Sequence, residues 1–119
     1  MTAIERTLFD SDHEIFRDTV RRFVEEEIAP FHAQWEKDGK ISRDAWLKAG
    51  ELGLLCASMP EEYGGGGVER TCSVILLEEL ARAGATGPGF GLHSEIVAPY
   101  INRYGSEEQK RKFLPKMAK

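Results

Sequence analysis

Acid-base catalysis needs a carboxylate or imidazole whose pKa is shifted by burial or a charged partner, and the candidates are Glu78, Glu79, His93 and Glu95. Glu78 and Glu79 could form a catalytic pair. They sit on an apolar stretch near a helix end, however, where a solvated carboxylate face is the ordinary case and the preferred reading. For His93, a pocket or core histidine holding a backbone hydrogen bond is preferred over a proton-transfer role. Ser94 and Glu95 stand beside it but do not make a triad, because triad members meet through the fold and adjacency in sequence shows nothing. Four consecutive glycines, Gly64 to Gly67, could cradle a phosphate. A phosphate loop would end in Lys-Ser or Lys-Thr and a dinucleotide turn would follow a strand, whereas Val68-Glu69-Arg70-Thr71 comes next. The residues alone therefore mark no convincing active site.

Other chemistries find less support still. His13, His32 and His93 form no ligand pair at helical spacing, so no metal site is expected. Cys56 and Cys72 are too few for a disulfide framework and lie among apolar neighbours, so both are read as buried free thiols. The 119 residues carry a formal charge of −4, which offers nucleic acid no general attraction. The run Lys110-Arg111-Lys112 is read as a solvated helix face. No apolar run approaches the roughly 20 residues that span a bilayer, and the polar start from Met1 to Asp12 has neither signal nor transit character. A cytoplasmic protein without a membrane partner is the expectation.

The elements that would position these residues are helices. Ser11 and Glu14 form a capping box opening the first, whose inner face is Phe16, Val20, Phe23, Val24 and Ile28, widened by Ile15 and Thr19. Pro30 should end or bend it near Ala29, and Gly39 should cap the turn that follows. Ser42 opens a second helix with Trp46, Ala49 and Leu52 inward and Gly53 as its stop. Leu54 to Ala57 reads as a buried extended connection into the sharp turn of Met59-Pro60 and the glycines. A third helix, from about Glu69 or Thr71 to Ala83, is apolar over more than half its circumference through Val74, Ile75, Leu76, Leu77, Leu80 and Ala81, and reads as central. Pro88 should start a fourth, with Phe90, Val97, Ile101 and Tyr104 near one face and a kink before Pro99. Ser106 and Gln109 make a second capping box for a last helix, which Pro115 weakens. The expected fold is all-α, one domain over 1–119, a compact bundle of five or six helices.

Several of these motifs, taken in order, are similar to the N-terminal helical domain of the acyl-CoA dehydrogenase family. They are Phe23-Val24-Glu25-Glu26-Glu27-Ile28-Ala29-Pro30, Gly50-Glu51-Leu52-Gly53-Leu54-Leu55, Pro60-Glu61-Glu62-Tyr63-Gly64-Gly65, Glu78-Glu79-Leu80-Ala81-Arg82 and Tyr104-Gly105-Ser106-Glu107-Glu108-Gln109-Lys110, closed by Phe113-Leu114-Pro115. The resemblance implies an enzyme that removes hydrogens from the α and β carbons of an acyl-CoA thioester. It also implies FAD as cofactor, an electron-transferring flavoprotein as acceptor and a homo-oligomer, commonly a tetramer. In the family, a middle β domain and a C-terminal helical domain carry the flavin contacts and the catalytic glutamate. No residue here answers to either, so a piece of a longer protein is expected, inactive and without FAD by itself. What the resemblance assigns to this domain is one wall of the acyl pocket, at Pro88, Gly89, Phe90, His93 and Val97. Gly87-Pro88-Gly89-Phe90 resembles the long-chain branch, since small residues there leave room for more methylenes. Acyl-CoA oxidases, nitroalkane oxidases and flavin monooxygenases share the domain, and a free-standing helical interaction module is the non-enzymatic alternative.

Overall fold

The computed structural model describes residues 4–119. Six α-helices carry the fold: α1 (Ser11–Phe23), α2 (Ala29–Asp38), α3 (Arg43–Glu51), α4 (Arg70–Arg82), α5 (Ala98–Tyr104) and α6 (Glu107–Met117). Two π-helical turns, Val24–Ile28 and Leu92–Val97, and a 3-10 turn, Glu61–Tyr63, complete them, with no strand among the described residues. The expectation of an all-α bundle is met. The polar-start reading lies in part outside the described residues, at 1–3.

The cap of α1 sits one residue earlier than the sequence pattern suggested. Asp10 accepts from the amides of Asp12 and His13, and the His13 ring closes the box in place of Glu14. Proline then shapes the chain twice in the same way. Its ring would collide with the carbonyl four residues back, and it has no amide to donate. The helix answers by widening the turn before each proline: the Ala29 amide reaches back to Val24 and the Ala98 amide to His93, both five residues. Pro30 therefore neither ends its helix nor breaks it, and α1 runs through the π turn into α2, which Gly39 caps as expected.

α1 and α4 lie side by side and run the same way, as the ordered pairs His13–Thr71, Arg17–Glu78 and Arg21–Glu79 require. The main core joins Val20, Phe23, Val24 and Ile28 to Ile75, Leu76, Leu80 and Phe90, with Ala45 and Ala49 of α3 closing it. A smaller core under α5 and α6 gathers Cys56, Met59, Tyr63, Ala98 and Leu114. In the first two expected helices, three positions read as inward are exposed instead: Ile15 and Leu52, and Thr19, whose hydroxyl bonds the Ile15 carbonyl. Leu54 to Ala57 is buried as expected but is a string of turns, not extended chain, with Cys56 in left-handed geometry at φ 52°. Cys56 is a buried thiol, whereas Cys72 is only partly covered. The radius of gyration is 15.0 Å, above the roughly 13.5 Å of a compact domain this size. The molecule is a slab 21 Å thick, two helix layers, with broad faces.

Candidate functional site

The segment after α4 holds every residue that the resemblance marked. Gly87 is tied to α2 by a hydrogen bond from its amide to His32 Nε2, 2.9 Å. Pro88 is buried and stands two residues before Phe90, the first helical residue, not at it. Phe90 has no exposed surface; its ring meets Trp46 edge-on at 4.7 Å and Phe23 at 6.3 Å. A Cβ added at Gly89 would lie 3.9 Å from the Trp46 ring, in ordinary contact. Gly89 and Phe90 thus face the core and α3, and Pro88 is covered beside them.

His93 faces sideways. Its ring stands 5.2 Å from Trp46 and lines an open cleft of about 440 Å³ with Leu55 and Met117, rimmed by Arg43 and Lys116. Burial pushes its pKa down, so the neutral imidazole is favoured. Its Nδ1 lies 3.0 Å from the Ser94 hydroxyl, which accepts the Cys56 amide at 2.9 Å. Ser94 is fully buried and steadies the left-handed Cys56 turn, a structural role invisible in the sequence.

The outward side of the same π turn is apolar. Leu92 is 62% exposed and Ile96 52%, and Val97 is exposed beside them. Gly91 allows α4 to join this face: a Cβ there would stand 3.0 Å from the Leu77 Cδ2 atom. Leu77 and Val74, both expected in the core, are exposed. The five residues from the resemblance are therefore divided, three inward, one sideways and only Val97 outward. Sequence reasoning missed Leu92, Ile96 and Leu77 as surface. The available signal was α4 itself, apolar around too much of its circumference to be served by one core.

The carboxylates are occupied elsewhere. Glu79 is not solvated; it is 2% exposed and caged by three arginines, with Arg21 Nε at 2.9 Å, Arg82 Nε at 3.0 Å and Arg17 Nη1 at 3.1 Å. The hydrogen bond from Arg21, joined by those from Arg82 and Arg17, outweighs desolvation and holds its pKa down to about 2. Such a carboxylate is too weak a base to abstract a proton. Glu78 is lowered too, by Arg6 first and then Arg17. Glu95 is half-buried, and no hydrogen bond or ion pair holds its carboxylate among the described residues. No group of three His, Cys, Asp or Glu side chains converges among the described residues.

The glycine run is a structural turn. Gly64 adopts φ 87°, and a Cβ at Gly65 would run into the Met59 carbonyl. Its amides are spent inside the turn: Gly65 donates to Pro60, Gly66 to Cys56, Gly67 to Met59 and Val68 to Ala57. A phosphate or a flavin pyrophosphate would need those amides free, so this turn does not fit FAD. Tyr63 is buried beside it and donates its hydroxyl to Glu107 at 2.9 Å.

Comparison with known proteins agrees with this architecture. The model of the acyl-CoA dehydrogenase N-terminal domain matches residues 10–119, and the chain belongs to that family. It is 52% identical over 112 residues to the mitochondrial long-chain specific acyl-CoA dehydrogenase of Sus scrofa, an alignment covering 94% of this chain and 26% of the relative. A crystal structure of acyl-CoA dehydrogenase from Geobacillus kaustophilus superimposes with a TM-score of 0.90 at 44% identity, over 96% of this chain and 30% of that one. An acyl-CoA dehydrogenase from Bacillus anthracis, solved in complex with FAD, gives 0.83 at 35% identity, over 97% and 20%. The chain thus spans about a quarter of the length of the curated relative. No helix among the described residues is long and apolar enough to cross a membrane.

Proposed function

We propose that this chain supplies one wall of the acyl pocket in an FAD-dependent acyl-CoA dehydrogenase, an oxidoreductase acting on the α and β carbons of medium- to long-chain acyl-CoA. Family membership supports the class. The structural observation that carries the role is the outward apolar face of Leu92, Ile96 and Val97, flanked by Leu77, directly after a turn of small residues. An exposed apolar face gains by covering methylenes, each contributing about 0.8 kcal/mol when buried. Gly89 and Phe90 set that face from behind by packing on Trp46, after the buried Pro88, and His93 on the same turn lines the neighbouring cleft.

FAD, the catalytic glutamate and the flavin contacts belong, on this reading, to parts of a longer protein beyond these 119 residues, and no chemical step is assigned to residues here. An electron-transferring flavoprotein as acceptor, a homo-oligomeric enzyme and a cytoplasmic or other reducing compartment complete the proposal; the two free thiols suit the last. An oxidase or monooxygenase relative and a free-standing module are not favoured, because the relatives described above are named as dehydrogenases.

The test is kcat/KM for palmitoyl-CoA against butyryl-CoA in the full-length enzyme carrying Leu92→Trp. The extra rings fill space that only distal methylenes would use, so the long-to-short ratio is expected to fall about tenfold. A folded variant with an unchanged ratio removes this face from the pocket. Gly89→Leu is the contrasting variant: its side chain meets Trp46, and it should alter stability without altering the ratio.

A further inference from the structure

We propose that His32 is a positioning residue for the acyl wall, a role that rests on the pocket reading above. The turn between α4 and the second π helix has few ties. Ala85 donates back to Leu80 and Thr86 to Gly84, both local; Pro88 has no amide to give. The bond from the Gly87 amide to His32 Nε2 is the tie that fastens this turn to α2, 55 residues away in sequence. The His32 side chain is largely buried, and Nε2 would stand 3.0 Å from a Cβ at Gly87. His32 therefore both accepts the amide and fills the place of a side chain at 87, which fixes where the following helix begins. Leu92 and Ile96 ride on that helix.

The ring is oriented for the task. Because Nε2 accepts, the neutral imidazole carries its proton on Nδ1, and Nδ1 faces the Glu36 carboxylate at 3.9 Å. Lys40, Trp35 and Ile41 line the same small cavity beside the ring. Loss of the acceptor leaves the Gly87 amide unfastened just before the rigid Pro88, so a shift of the glycine passes to the helix that follows, and the wall shifts with it.

The full-length enzyme with His32→Ala is expected to show KM for palmitoyl-CoA raised about fivefold, the worth of one ordinary hydrogen bond. Its kcat and its KM for butyryl-CoA should stay unchanged. His32→Gln can accept the same amide through its side-chain oxygen and should restore the palmitoyl-CoA value. Hydrogen exchange at the Gly87 amide should quicken in the alanine variant and slow again in the glutamine one. Unchanged exchange would overturn the fastening itself. Quickened exchange with an unchanged palmitoyl-CoA KM would overturn the positioning role, while Leu92→Trp still reports on the wall; silence in Leu92→Trp as well would bring down the pocket reading. If His32→Ala does not fold, Gly87→Ala strains the same contact from the other side and should raise the same KM, with no change there counting against the proposal.

Discussion

The α1–α4 seam and the outward face of the second π turn break the rule of apolar residues inside in opposite directions. At the seam a carboxylate is buried and four arginines meet two glutamates; at the π turn Leu92 and Ile96 lie in the open. The seam is closed within the chain, because Glu79 and Arg17 each have charged partners that offset desolvation, with Arg17 Nη2 the one buried guanidinium nitrogen left without a hydrogen-bond partner among the described residues. The face is incomplete, because nothing among the described residues covers it. A buried ionic network is therefore a poor guide to function here, and an unfinished apolar face is the better one.

The sharpest break in that comparison is Glu79→Gln. Removing the charge takes the shared counter-ion from Arg17, Arg21 and Arg82 and leaves the buried Arg17 with Glu78 as its close partner; a loss of about 3 kcal/mol is expected, read as a lowered midpoint in urea with the acyl chain-length ratio unchanged. Acid probes the same cage without mutation. Because the folded-state pKa of Glu79 is about 2 against an ordinary 4.5, its contribution is full above the ordinary value. It is lost as pH falls from there toward 2. A stability profile flat across that window would show that the cage contributes nothing.

Gly65→Val comes next. The added Cβ meets the backbone carbonyl of Met59, which cannot swing aside as a side chain could, so the cost should exceed the roughly 1 kcal/mol typical of point changes. Thermal melts check it, and an unchanged midpoint would show that the turn can open. The smallest stability effect belongs to the face itself. Leu92→Ser exchanges one exposed side chain for another and should move stability by no more than about 0.5 kcal/mol, yet lower kcat/KM for palmitoyl-CoA in the full-length enzyme. A large loss of stability would mean that Leu92 belongs to a core, and the contrast with Glu79 would disappear.

Much of the architecture was legible in the order of residues. Helical periodicity marked Val20, Phe23, Val24, Ile28, Ile75, Leu76 and Leu80, all of which are buried. Gly39, Ser42, Gly53 and the Ser106–Gln109 box marked helix ends, because caps and left-handed glycines act within a few residues of chain. The ordered motifs also carried the family.

Tertiary structure alone decided which apolar residues stay outside and which charged ones go in. Val74 and Leu77 look like Ile75 and Leu76 on paper; only the packing of α1 and Phe90 against one side of α4 separates them. Glu79 became a buried anchor because Arg17 and Arg21 reach it from 62 and 58 residues away, a distance no local pattern records. Phe90 and His93, three residues apart, face the core and a cleft, because α3 brings the Trp46 ring against both, edge-on to Phe90 and beside His93. Local sequence sets where helices start and stop; the facing of each side chain depends on what the rest of the chain brings alongside.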